Sequence, residues 1–282
     1  PATEILERRV ISHLVHRYHG WPTLARRKNG QLLLVCSGGR ESHVCPFGRV
    51  ELMRSDDGGK TWTWPQTLID TAIDDRDAGV LETSRGTLLV TTFTSLAFEE
   101  RSFPTGNNER AVRWRAARDR LPAADRRELL GEWIIRSTDG GRNWSAPFRC
   151  GVNSPHGPIQ LADGRVLYAG KELHHGDRRI GVSVSRNDGA DWKWLATIPT
   201  RPGDDPKKYH ELHAVETADG RLVVHIRNHN TAHAGETLQS ESSDGGKTFS
   251  TPHPIGVWGL PSHLLRLADG RLLMSYGHRR PP

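Results

Sequence analysis

Five stretches of this 282-residue chain follow one pattern. They are "WPTLARRKNGQLLLVCSG" from Trp21, "RDAGVLETSRGTLLVTTF" from Arg76, "PHGPIQLADGRVLYAGK" from Pro155, "HELHAVETADGRLVVHIR" from His210 and "PSHLLRLADGRLLMSYG" from Pro261. Each alternates apolar and polar residues, turns at a glycine and resumes as a second β-rich run, the pattern of a two-stranded hairpin. The turn glycines Gly30, Gly86, Gly164, Gly220 and Gly270 stand 56, 78, 56 and 50 residues apart. A strand-built unit that recurs about every 50 residues implies a propeller or a β-solenoid. Composition agrees: 29 Gly and 17 Pro supply turns, and nine Trp supply large apolar surfaces in a chain only 35% hydrophobic.

A second motif lies between the hairpins. "SDDGGKTW" (residues 55–62), "STDGGRNW" (137–144), "SRNDGADW" (185–192) and "SSDGGKTF" (242–249) share the form S-x-D-x-G-x-T-W. The third carries Asn187 in the Asp slot and Asp191 in the Thr slot, and the second carries Asn143 in the Thr slot. This is turn chemistry: the Asp side chain accepts backbone N–H bonds, Gly takes a positive φ and the aromatic fills an apolar slot. Too few carboxylates gather in any copy for a calcium loop, so no metal is expected.

These motifs resemble Asp-boxes, the bacterial neuraminidase (BNR) repeats of the sialidase superfamily, and with the five hairpins the resemblance extends over nearly the whole chain. It implies an all-β, six-bladed β-propeller of four-stranded blades, one domain over residues 1–282, with the Asp-boxes as structural turns away from the active site. The 78-residue spacing calls for an insertion over residues 99–130, which is charged and helix-favouring, either a solvated surface helix or a lid. After the fifth hairpin, "GHRRPP" brings no outer strand and no Asp-box, so the C-terminal blade is expected to be incomplete and the native chain to continue.

In a propeller the first strand of each blade lines the central channel, and the loops at its mouth form the site. Polar residues occupy those places in all five units: His19, Arg40 and Glu41; Asp74, Asp75, Arg76 and Asp77; His156 and Lys171; His210, Glu211, His213 and Arg227; Ser262, His263, His278, Arg279 and Arg280. Any one of them reads equally well as a structural ion pair. Five equivalent sets point to a site.

The resemblance implies three Arg that clamp a substrate carboxylate, a Tyr nucleophile assisted by a Glu, and an Asp acid/base. A guanidinium offers paired donors that match a carboxylate and stays charged at any working pH. Glu211 opens a central strand and Arg227 follows it by 16 residues, as the family's Glu and clamp Arg do. Arg40 resembles the Arg that closes the first hairpin, and Arg279 falls near another clamp position. Asp77 and His43 are the acid/base candidates. Arg76, His19, His156, Lys171, His210 and His263 complete the expected substrate-binding set. The chain also departs from the pattern. Its first hairpin opens with "HGWP", placing Gly20 where a clamp Arg stands. Glu41 and His43, not an Asp, follow Arg40, and the nucleophilic Tyr is expected beyond residue 282.

An exo-acting, sialidase-like hydrolase is therefore expected, releasing sialic acid or another acidic sugar from a glycan. The alternatives are a lyase acting on uronic-acid glycans, for which His, Tyr and Lys are suitable acids and bases, and a non-catalytic glycan-binding propeller. No cofactor is expected. The formal net charge is +6, but the cations are interleaved with acids and form no block, which argues against nucleic acid as a partner. No apolar run is long enough for a membrane helix. Three cysteines without a CxxC spacing indicate neither a zinc site nor a disulfide framework; Cys36 and Cys45 either pair across neighbouring strands or remain buried thiols. The chain starts at Pro1 without a signal-type segment, and a secreted or periplasmic location follows only if a leader has been removed.

Overall fold

The computed structural model describes residues 4–12, 16–101 and 103–278. The first sheet is β1 (Tyr18–Arg26), β2 (Leu32–Arg40), β3 (Arg49–Ser55) and β4 (Gln66–Ile69). The second is β5 (Asp74–Glu82), β6 (Leu88–Ser95), β7 (Glu132–Ser137) and β8 (Phe148–Arg149). The third is β9 (Ile159–Gln160), β10 (Val166–Lys171), β11 (Ile180–Ser185) and β12 (Lys193–Thr197). The fourth is β13 (Tyr209–Glu216), β14 (Leu222–Asn228), β15 (Leu238–Ser242) and β16 (His253–Pro254). Each sheet is an antiparallel meander in chain order, and β17 (Gly259–Arg266) and β18 (Leu272–His278) form a fifth, two-stranded sheet. Successive sheets pack through their inner strands, β1 on β5, β10 on β13 and β13 on β17. This is an all-β propeller. Against the expected six blades, the described residues form four complete four-stranded blades and one hairpin.

The core lies between blades because strand alternation gives each inner sheet two apolar faces. On β6, Leu88 and Val90 pack with Leu33, Val35 and Leu52 of the first blade, while Leu89 joins Cys150, Val166 and Tyr168 of the next interface. On β10, Leu167 and Ala169 turn the other way, toward Leu212, Val224 and Ile226 of the fourth blade. Each fully buried side chain of this size stabilises the fold by about 1.5–3 kcal/mol. Cys36, Cys45 and Cys150 are buried free thiols.

The Asp-boxes close the turns after the third strand of each complete blade. In the first, Ser55 Oγ donates to Asp57 Oδ1 at 2.9 Å, Gly59 N donates to Ser55 Oγ at 2.8 Å and Thr61 Oγ1 donates to Asp57 Oδ2 at 2.6 Å. The second and fourth repeat this around Asp139 and Asp244. The third exchanges the roles: Asn187 Nδ2 donates to Asp191 Oδ2 at 2.8 Å. Arginines tie these turns to the preceding blade. Arg54 donates to the Gly140 and Gly141 carbonyls at 3.2 and 3.1 Å, Arg136 to the Asp188 carbonyl at 3.0 Å, and Arg165 to the Gly245 carbonyl at 3.0 Å.

Between β6 and β7 lie three helices, α1 (Ala97–Arg101), α2 (Glu109–Arg118) and α3 (Ala123–Glu128). Asn108 caps α2 by accepting from Ala111 N at 2.9 Å. The fully buried Trp114 anchors the helix among Phe47, Phe98 and Phe103.

The inner strand of the second blade meets the segment leading into β9 at glycine. A Cβ on Gly79 would come within 2.3 Å of Gly157 Cα and 2.4 Å of its nitrogen, and backbone cannot swing aside. Gly79→Ala should therefore cost at least about 1–3 kcal/mol, the usual overpacking penalty, as a lowered Tm. An unchanged Tm would show that the two backbones do not touch this closely.

Candidate active site at the mouth of the channel

The inner strands bulge at one equivalent place. Pairing slips between Gly20 and Thr23 on β1, between Arg76 and Gly79 on β5, and between His210 and Leu212 on β13. The residue in each slip has a left-handed backbone: Trp21 at φ +52°, Asp77 at +48° and Glu211 at +23°. Each stands nine residues before its turn glycine (30−21, 86−77 and 220−211). Non-glycine residues adopt such angles at a cost of order 1–3 kcal/mol, and such strain concentrates at functional sites. Here it re-aims three side chains at the channel mouth.

Asp77 and Glu211 line one cavity of about 100 Å³, together with Phe93, Pro155, Lys171 and His210. Asp77 is 6% exposed and its Oδ1 is buried without a hydrogen-bond partner among the described residues. Burial raises its pKa to about 7; the charge of Glu211 adds to the rise, and the Arg76 guanidinium opposes it. Glu211 instead accepts from Arg227 Nη1 at 2.6 Å, and Arg227 Nε donates to His229 Nε2 at 2.8 Å. The cavity therefore holds a carboxyl that is protonated near neutrality beside one that is paired with a cation.

Lys171 is 5% exposed, and its Nζ donates to the Lys207 and Tyr209 carbonyls at 2.6 and 2.7 Å. It forms no ion pair with a carboxylate among the described residues. Burial lowers its pKa to about 8. His210 is lowered to about 3, chiefly by burial and then by Lys171, so it is a neutral imidazole.

Arg76 sits beside this cavity with its guanidinium 4.4 Å from the Trp21 ring centroid. Its Nη1 donates to the His43 carbonyl at 3.0 Å and lies 3.4 Å from Asp74 Oδ2. His43 packs edge-on to Trp21 at 5.0 Å, and burial with the Arg76 and Arg40 charges lowers its pKa. Arg40, expected as a clamp, has no free edge to offer a substrate. Its side chain is wholly buried and grips Asp74 with two bonds, Nη1 to Oδ1 at 2.6 Å and Nη2 to Oδ2 at 2.8 Å. An ion pair of this kind fixes the strand ends beneath Arg76 and Asp77.

Three expected binding residues lie elsewhere. His19 Nε2 is 3.2 Å from Ser12 Oγ and 3.4 Å from Glu51 Oε2, and it does not line the Asp77 cavity. His156 and His263 do not line that cavity and pack with His213 at centroid distances of 5.0 and 4.1 Å. Burial holds His156 at about 3 and lowers His213 and His263 too, so none brings positive charge to an anion at neutral pH. Arg279 lies outside the described residues. The described residues contain no cluster of His, Cys, Asp and Glu that could hold a metal ion.

Trp21, Phe93 and His229 were missed from sequence. Trp21 carried a usable signal, its nine-residue offset from Gly30. Asp74 was among the polar residues expected at the mouth, but an Asp beside a second Asp gives no hint of which one takes Arg40.

Among curated proteins none matches this chain. Among solved structures, a protein of unknown function from Dyadobacter fermentans is similar at 24% identity and a TM-score of 0.72, over 96% of this chain and 78% of that one. A Hadza microbial sialidase is 20% identical with a TM-score of 0.64, over 91% of this chain but only 52% of its own, so the chain spans about half its length. The Penicillium chrysogenum α-L-arabinanase, bound to arabinobiose, is 15% identical with a TM-score of 0.61, over 93% of this chain and 76% of that one. The family model for the BNR/Asp-box repeat matches residues 53–63, and that for the BNR repeat-like domain matches residues 114–281. With more than half its length under that second model, and with Asp-box turns in four blades, the chain belongs to the BNR repeat-like domain family.

Proposed function

We propose that this protein is a glycoside hydrolase that releases a terminal acidic sugar, with Asp77 as general acid and Glu211 as the carboxylate that activates the attacking group. The observation that carries this is the unpartnered, buried Asp77 carboxyl raised to about 7 beside the Arg227-paired Glu211 in one cavity. Two carboxyls driven to different protonation states are what acid-assisted glycoside cleavage needs. Asp77 gives its proton to the glycosidic oxygen as the bond to the anomeric carbon breaks. Water adds to that carbon and passes its proton to Glu211, and solvent exchange resets both groups.

An acidic sugar is favoured by Lys171, a buried cation aimed into the cavity wall with only carbonyls as partners. Arg76 adds a second positive group at the rim. Sialidases and an arabinanase among the structural neighbours support a glycosidase scaffold. We carry the six-bladed count as part of this reading, since β17–β18 pairs as the inner hairpin of a fifth blade. Lys171 also supports a second reading: an amine near 8 could abstract the proton next to a uronate carboxylate in a lyase. A lyase product absorbs in the ultraviolet, and a hydrolysis product does not.

On aryl glycosides of sialic and uronic acids, Asp77→Asn and Glu211→Gln should each lower kcat by about a hundredfold or more with the fold intact. Turnover at the wild-type rate by Glu211→Gln would remove Glu211 from the mechanism. Wild-type kcat/KM should fall as pH rises through about 7, because the acid must be protonated.

Asp77 also has a stability consequence. Its pKa is raised from 3.8 to about 7 on folding, so the folded state binds a proton that the unfolded chain has released, and stability falls as pH rises across that window. Asp77→Asn removes the titration. Its Tm should exceed that of the wild type at pH 8, with the gap closing toward pH 4; a gap independent of pH would contradict the burial assigned to this carboxyl.

A further inference from the structure

A second polar cleft of about 260 Å³ lies where α2 meets the first blade. Arg17 and Arg49 line one wall and Arg113 and Arg120 the other, against two carboxylates, Glu41 and Asp70. Glu41 is shared. It accepts from Arg113 at 3.1 Å and from Trp114 Nε1 at 2.9 Å, and stands 3.9 Å from Arg110 and 4.0 Å from Arg17. Arg113 also pairs with Glu109 at 2.7 Å, and Arg49 with the buried Glu51 at 2.7 Å. Arg120 donates Nε to the Ala117 carbonyl at 3.2 Å and pairs with no carboxylate among the described residues. Glu109 and Glu51 thus compensate Arg113 and Arg49 from outside the lining, and Arg120, with Arg17 at only 4.0 Å from Glu41, supplies the positive charge that attracts an anion.

The floor of the cleft is kept open by Gly39. Its φ is +68°, and an added Cβ would come within 3.0 Å of Arg49 Nε and 3.1 Å of the Phe47 carbonyl. The same loop serves both sites. Glu41 and Phe47 line the cleft, while the intervening His43 carbonyl holds Arg40 at 2.8 Å and Arg76 at 3.0 Å. Cations on two opposed walls suit a repeating anion lying along a groove better than one small ion in a cage.

We propose that this cleft is a subsite for the anionic continuation of a polysaccharide, a run of carboxylate- or sulfate-bearing sugars extending from the residue held in the Asp77 cavity. Its place relative to the cleaved bond rests on the hydrolase reading; its binding chemistry does not. Arg120 and Arg17, each held by one bond to a backbone carbonyl, keep guanidinium N–H groups for successive anions, and the α2 insertion is the wall that a bare blade would lack.

The test is affinity electrophoresis through gels containing polygalacturonate, alginate or chondroitin sulfate, with neutral arabinan as control. Wild-type protein should be retarded by at least one of the polyanions, less so as salt is raised, and not by arabinan. Arg113→Ala/Arg120→Ala should bind at least tenfold more weakly. Arg221→Ala/Arg271→Ala, which removes the same charge from exposed turns on other blades, should bind as wild type. Retardation reads binding and not turnover, so a failed catalytic reading leaves this result standing. Equal weakening by the two double variants would reduce the effect to net charge and overturn the subsite. So would an absence of retardation by all three polymers, or full competition by millimolar sulfate. Both double variants are checked by thermal melting, and a folded Arg113→Ala/Arg120→Ala protein that binds like the wild type equally rejects the proposal.

Discussion

Face-to-face packing of sheets governs everything else in this molecule. A strand such as β6 has apolar side chains on both sides, with Leu88 and Val90 facing one blade and Leu89 the next. No blade can bury both faces alone, so each is stable only as the filling between two others. That requirement sets the ring, and the ring sets the channel. The strand ends that converge there carry polar groups such as Arg76, Asp77 and Glu211. At the tightest point side chains are excluded altogether, and Gly79 lies against Gly157.

The site is built by departing from that regularity at one equivalent place. A bulge on β1, β5 and β13 turns Trp21, Asp77 and Glu211 out of the alternating pattern. The strain of three left-handed residues and the burial of Asp77 both oppose folding. The Arg40–Asp74 pair, wholly buried and doubly hydrogen-bonded, holds the strand ends in place against them. One Arg expected to meet substrate is thus the support under those that line the mouth.

The hairpins, their glycine turns and the Asp-boxes were legible in the sequence because each rests on local chemistry: alternation, positive φ and a side chain bonding its own turn. Glu211 and Arg227 were legible together because their 16-residue spacing is that of two facing ends of one hairpin, and they meet at 2.6 Å. What depends on contacts between blades was not legible. Arg40 and Asp74 are 34 residues apart in different sheets, and alternation along one strand cannot say that they close on each other. His156, His213 and His263 look like site residues along the chain, yet they pack against one another, and burial leaves them neutral.

The third Asp-box shows what these turns are made of. Where the others place a carboxylate to receive a hydroxyl or amide, this one places the amide of Asn187 to give and the carboxylate of Asp191 to receive. The turn closes just as well, with Gly189 N donating to Ser185 Oγ at 2.9 Å as in its sisters. The motif is therefore a complementary pair and not a string of letters. A signature keyed to the aspartate slot passes over such a blade, although its backbone is drawn in by the same bonds, and blade counts taken from residue identity alone will run low wherever donor and acceptor have traded sides.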